Sequence, residues 1–170
     1  MRKILVIDTC ILCVYLKVPK MDDCGPDDDK WNFARVSEKI QTEIRNKSML
    51  VLPMAALIET GNHIAQVDGE KFPLATELAK IMVKVASEEE PWAAFRTQTD
   101  LWNDDNLLKL AEKWPLLANQ GLSIGDATIK DVAEFYMNAG YNVEILTGDK
   151  GLKAYEPPAK SMPRRRKYSF

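Results

Sequence analysis

An α/β domain, with a central parallel sheet between helices in a three-layer α/β/α arrangement, is what three features of this chain predict. Apolar runs at residues 4–7 and 49–52, and a segment apolar at Val143, Ile145 and Leu146, have strand length and end on charges or helix-breaking residues. Longer stretches between them repeat their apolar residues at helical spacing. Strands alternating with helices imply a parallel sheet, and 170 residues suffice for one domain whose core needs neither disulfides nor structural metal.

The first strand is ILVI, residues 4–7, and the carboxylate Asp8 follows it at once. A short helix is expected over residues 10–16, ended by Pro19. The acidic segment MDDCGPDDDK carries Gly25-Pro26 and reads as a loop. It has the charge of a calcium loop without the alternating ligands around a central glycine. Over residues 31–45, Phe33, Val36, Ile40 and Ile44 fall on one helical face. Residues 49–52 form the second strand, and Pro53 suits the first turn of the helix after it. In that helix Ala56, Leu57, Thr60, Ile64 and Val67 keep the period, and Glu59 lies close to the strand. Residues 71–86 and 101–114 read as two further helices, joined by SEEEPWAAFRTQTD, in which residues 95–99 are expected to be extended. Residues 123–139 give the clearest helix, with Ser123-x-x-Asp126 as a capping box and Gly140 as the stop. The third strand runs through Val143, Ile145 and Leu146 into Thr147-Gly148-Asp149, and Pro157, Pro158 and Pro163 mark an irregular tail. The domain is therefore set at residues 1–156 and a basic, flexible tail at 157–170.

Composition narrows the function classes. Arg2 and Lys3 before an apolar stretch imitate a signal peptide, but Asp8, Lys17 and Lys20 interrupt it and no small-residue cleavage pattern follows, so a cytoplasmic protein is expected. No stretch is long enough to cross a bilayer. Cys10, Cys13 and Cys24 with the single His63 make a poor zinc set, and buried reduced thiols are the better reading. The formal charge of −2 is a weak footprint for nucleic acid, yet it becomes +2 once four acids are set aside in a metal-filled pocket. Arg164, Arg165, Arg166 and Lys167 then form either a solvated terminus or an electrostatic grip on RNA phosphates. Trp31, Trp92, Trp102 and Trp114 read as core or interface residues rather than base-stacking platforms.

In open parallel sheets ligands bind outside the carboxyl ends of the strands. Asp8 directly follows the first strand and Asp149 lies three residues past the last apolar residue of the third, while Glu59 and Asp126 lie near the starts of helices. Each has an ordinary reading alone: Asp8 and Asp126 as helix caps, Glu59 as a surface residue, Asp149 as a turn residue. Together they are harder to dismiss, since two unit charges about 4 Å apart repel by roughly 4 kcal/mol at an effective dielectric near 20. A hard divalent cation such as Mg²⁺ or Mn²⁺ is the natural partner of such a set, and phosphodiester hydrolysis the chemistry it favours.

The segments ILVIDTCIL, PMAALIET, LSIGDATIKDVAEFY and VEILTGDKGLKAY, in this order, resemble those of PIN-domain ribonucleases. The resemblance implies a PIN-like three-layer fold and a metal-dependent nuclease whose acidic pocket is carried by Asp8, Glu59, Asp126 and Asp149. It also implies one or two Mg²⁺ or Mn²⁺ ions, attack of an activated water on the RNA phosphate, and Thr9 and Thr147 as hydroxyls beside the pocket. Asp131, five residues beyond Asp126, points elsewhere by helical spacing. Many small bacterial PIN proteins are toxins of VapBC toxin-antitoxin modules, so an antitoxin partner and a homodimer are further expectations. The acidic loop at 20–30 and the helical middle at 69–121 depart from the most compact of those toxins. Two other readings compete: a catalytically silent PIN-like binding module, and a haloacid dehalogenase-type phosphatase, which would need an aspartate where Cys10 stands. A nucleotide-binding protein is less favoured, because no glycine-rich phosphate loop follows the first strand.

Overall fold

In the computed structural model, which describes residues 2–159, the chain runs β1 (Lys3–Ile7), α1 (Thr9–Tyr15), β2 (Asp23–Cys24), β3 (Trp31–Asn32), α2 (Phe33–Arg45), β4 (Met49–Val51), α3 (Met54–Ala65) and α4 (Lys71–Ala86). It continues through a 3-10 helix (Phe95–Trp102), α5 (Asp104–Asn119), α6 (Ile124–Asn138), β5 (Asn142–Leu146) and α7 (Lys150–Lys153). β4, β1 and β5 form a parallel sheet in that order, with β1 in the middle. The fold is α/β.

The apolar run of β1 is buried on both faces, as a central parallel strand requires. Ile4 and Val6 pack with Val51 and Ile145 against Ile129, Val132, Ala133 and Tyr136 of α6. Leu5 and Ile7 pack with Leu50 and Leu146 on the other face, against α1, α2, α3 and α4. Helices thus cover both sides of the sheet.

Both sheet edges are closed. Beside β4, Leu50 N donates to Pro91 O (2.9 Å) and Ala93 N donates to Leu50 O (2.8 Å), so the segment around Trp92 pairs with the strand. On the other side, the Glu156 carboxylate accepts from Ile145 N (2.7 Å) and Lys153 Nζ donates to Ile145 O (2.9 Å). These bonds occupy backbone groups that would otherwise template pairing with another chain. At the amino edge, Glu43 accepts from Lys3, Lys39 (2.8 Å) and Ser48 (2.7 Å), and both lysines also pair with Glu144.

Four expectations need correction. Residues 95–99 are not extended: they belong to the 3-10 helix, and the extended contact falls earlier, at Trp92. The helix expected over 101–114 runs from Asp104 to Asn119, capped by the Asn103 side chain on Asn106 N (2.9 Å) and continuing through Pro115. The acidic loop folds partly into an antiparallel pair, Cys24 opposite Trp31 and Asp23 opposite Asn32. Pro53 is the N-cap residue of α3 rather than a first-turn residue. Trp31, Trp92 and Trp114 are half-buried against the hydrophobic clusters, whereas Trp102 is 43 % exposed. Among the described residues no helix is long and apolar enough to cross a membrane. Arg164, Arg165, Arg166 and Lys167 lie outside the described residues.

Candidate functional site

Asp8 sits where β1 ends, and its amide donates to Leu146 O of β5 (3.1 Å), so the strand pairing fixes it at the carboxyl edge of the sheet. It is the N-cap of α1: its Oδ1 accepts from Thr9 N at 2.6 Å. The cap role read for Asp8 from the sequence is thus present in the structure. Thr9 Oγ1 donates to Glu59 Oε2 (2.7 Å), tying α1 to α3. Asp126 lies in the first turn of α6, where its amide donates to Ser123 Oγ (3.0 Å) and its Oδ2 accepts from the Ser123 hydroxyl (2.7 Å). Asp149 caps α7, its Oδ1 accepting from Gly151 N (2.6 Å) and Leu152 N (3.2 Å).

Thr147 joins two of these acids. Its hydroxyl donates to Asp8 Oδ2 (2.7 Å) and accepts from Asp149 N (2.9 Å). Each predicted hydroxyl residue thus spans a pair of acids: Thr9 joins Asp8 to Glu59, and Thr147 joins Asp8 to the backbone of Asp149.

All four acids line one cleft of about 350 Å³, together with His63 and, among the described residues, with neither lysine nor arginine in its wall. A larger groove at the opposite edge, about 920 Å³, is walled by Arg2, Lys3 and Glu43, whose charges are already paired. Asp8 is 5 % exposed. Burial raises its pKa above the ordinary carboxylate value, the Asp126 charge adds to the rise, and the bonds from Thr147, Cys10 and Thr9 pull it down. The cleft therefore holds a desolvated carboxylate that feels a second one.

The donor set is hard carboxylate oxygen, which fits a hard divalent cation in kind. In spacing the cleft is open: among the described residues no three His, Cys, Asp or Glu side chains stand close enough to hold a metal ion. Asp8 and Asp149 cap their own helices, Asp126 is held by the hydroxyl of the N-cap Ser123, and mutual repulsion works against closer approach. A cation would have to draw the carboxylates inward.

Several contributors escaped the sequence reading. Cys10 donates its thiol proton to Asp8 Oδ2 (3.2 Å), and Gly148 N donates to Cys10 Sγ (3.3 Å). The Cys24 contact, then burial and the Asp8 charge, raise the Cys10 pKa, and the same contact lowers that of Cys24. A side chain at Gly148 would meet Gly25 N at 2.7 Å, so the acidic segment packs on the Thr-Gly-Asp turn only because residue 148 has none. A Cβ at Gly125 would stand 2.1 Å from Glu59 Oε1. Glycine there leaves room for that carboxylate. His63 stands one helical turn after Glu59, a spacing that could have signalled its place in the cleft. Asp131 pairs with Lys113 and Lys130, outside the cleft.

Comparison of the chain with family models, with curated proteins and with solved structures found no match.

Proposed function

We propose that this chain is a PIN-like ribonuclease that hydrolyses RNA phosphodiester bonds with Mg²⁺ or Mn²⁺ held by Asp8, Glu59, Asp126 and Asp149. One observation carries the reading: four acids from distant segments line a single cleft at the carboxyl edge of a parallel sheet. A bound divalent ion there would supply a water activated at neutral pH and charge compensation for a phosphoryl oxygen.

The chain's own groups set up that chemistry. Asp8, desolvated and held by three donors, is the fixed acid around which the others are placed. Thr9 orients Glu59 through one oxygen, and its other oxygen faces Gly125. Thr147 keeps Asp149 in register with Asp8. Because no lysine or arginine among the described residues lines the cleft, bound metal would supply charge compensation for an RNA phosphate there.

The test is incubation of the purified chain with an RNA mixture in Mg²⁺ or Mn²⁺ and, separately, in chelator. Cleavage confined to the metal-containing samples, and restored when metal is added back, supports the reading. The open spacing of the acids favours a second reading, a PIN-like module that binds without cleaving. RNA retention without products in every condition would select it. A toxin role is part of the first reading: the exposed Phe72 and Val83 of α4 and Leu108 and Leu116 of α5 offer apolar surface to a small antitoxin. Co-purification with the product of an adjoining small reading frame tests that role.

A further inference from the structure

Two thiols, Cys10 and Cys24, line the rim of the acidic cleft, and their placement beside each other is used neither by the capping bonds nor by the proposed chemistry. Cys10 stands on α1 and Cys24 on β2, two elements that pack directly. Both are half-buried and line the cleft, whereas Cys13 is buried and lies 3.9 Å from Thr60 Oγ1. Gly148 seats the pair: its amide donates to Cys10 Sγ (3.3 Å), and a Cβ on it would lie 2.9 Å from Cys24 Sγ.

From this juxtaposition we infer that Cys10 and Cys24 form an oxidisable pair, a site of reversible disulfide formation with a hydroperoxide as oxidant, which staples the acidic hairpin to α1. In the first step one thiol sulfur attacks the peroxide, the O–O bond breaks, and a sulfenic acid and one water (or alcohol) result. In the second step the other thiol sulfur attacks the sulfenic sulfur, the S–O bond breaks, water leaves with the thiol proton, and the S–S bond forms. Two thiols lose two electrons and two protons in all, and the peroxide takes both pairs. Oxidation removes the thiol proton that Cys10 donates to Asp8 Oδ2 (3.2 Å) and fixes Cys24 beside the cleft. The consequence for metal-dependent cleavage rests on the proposed function; the bond itself does not.

The experiment treats the reduced full-length chain, freed of reductant, with a small excess of hydrogen peroxide. Intact mass and maleimide counting then read the thiols. The expected result is loss of two of the three free thiols with a mass decrease of about 2 Da, reversed by dithiothreitol. Non-reducing digestion should yield one peptide pair joined through Cys10 and Cys24. Cys13→Ser should keep this behaviour, and Cys24→Ser, which changes only the hairpin thiol, should abolish it. Retention of all thiols, oxygen addition without a joined peptide, or a disulfide between two chains overturns the inference. The readout is a bond rather than RNA cleavage, so failure here and failure of the nuclease reading are separately visible.

Discussion

Gly125→Ala separates the cleft's chemistry from the stability of the fold. A Cβ at residue 125 would stand 2.1 Å from Glu59 Oε1 and 3.2 Å from its carboxyl carbon. Glu59 is half-buried at the end of a flexible side chain, so its carboxylate, not the backbone, should yield. Two stability effects then oppose each other. Alanine in place of glycine in a helix gains up to about 1 kcal/mol. Loss of the 2.7 Å bond from Thr9 to Glu59 costs about 1.5 kcal/mol, the usual size for a bond to a charged group. The net change is within about 1 kcal/mol, a shift of about 2–4 °C in a chain of this size. Function should suffer far more, because one of the four acids proposed to hold the metal is withdrawn, and a loss of about tenfold or more in metal-dependent cleavage is expected. Thermal unfolding and Mn²⁺-titrated RNA cleavage on the same preparation measure both. Unchanged cleavage and an unchanged metal titration in the folded variant would refute a metal-holding role for Glu59.

Thr147→Val removes the hydroxyl shared by Asp8 and Asp149, and denaturant unfolding should show a loss of about 1–3 kcal/mol together with weakened cleavage. Burial raises the Glu43 pKa, but bonds from Lys3, Lys39 and Ser48 outweigh it and lower the value from 4.5 to about 2. A lowered carboxylate pKa contributes stability above the unfolded value that is lost as pH falls through the folded one. Glu43→Gln should therefore flatten the acid limb between pH 4.5 and about 2 and cost about 2 kcal/mol near neutrality, after allowance for screening of the two part-exposed lysines. Asp8 has the opposite sign. Its pKa is raised, so its contribution is full below 3.8 and is lost as pH rises through the folded value, and Asp8→Asn should remove that loss in metal-free protein. Millimolar Mn²⁺ should raise the melting temperature of the wild type, by about 2.7 kcal/mol of stabilisation if the ion is at 100 times its Kd, and leave Asp8→Asn unmoved.

The sheet was legible because β1 is a continuous apolar run, as a strand covered on both faces requires, and β5 keeps Val143, Ile145 and Leu146 apolar around Glu144. Asp8 was legible for the same reason: a carboxylate at the end of such a run must cap, pair or bind. Gly125 and Gly148 were not legible, since their importance is the absence of a side chain against Glu59 and the acidic hairpin, and no local pattern encodes that contact. Residues 95–102 misled because their composition suits either an extended segment or a tight turn, and tertiary pairing of Trp92 with Leu50 took the extended role first. The cap at Asp8 was legible because a carboxylate at the end of β1 faces the Thr9 amide, whereas the bond from Thr9 to Glu59 joins segments 50 residues apart and has no local signature.

The central claim is that the acids at the carboxyl edge form one metal-dependent hydrolytic centre. RNA cleavage by wild type and Asp8→Asn in Mn²⁺, both folded by circular dichroism at the assay temperature, tests it most directly. The account predicts products from the wild type that vanish with chelator, and none above background from Asp8→Asn. Equal cleavage by the two proteins would contradict it.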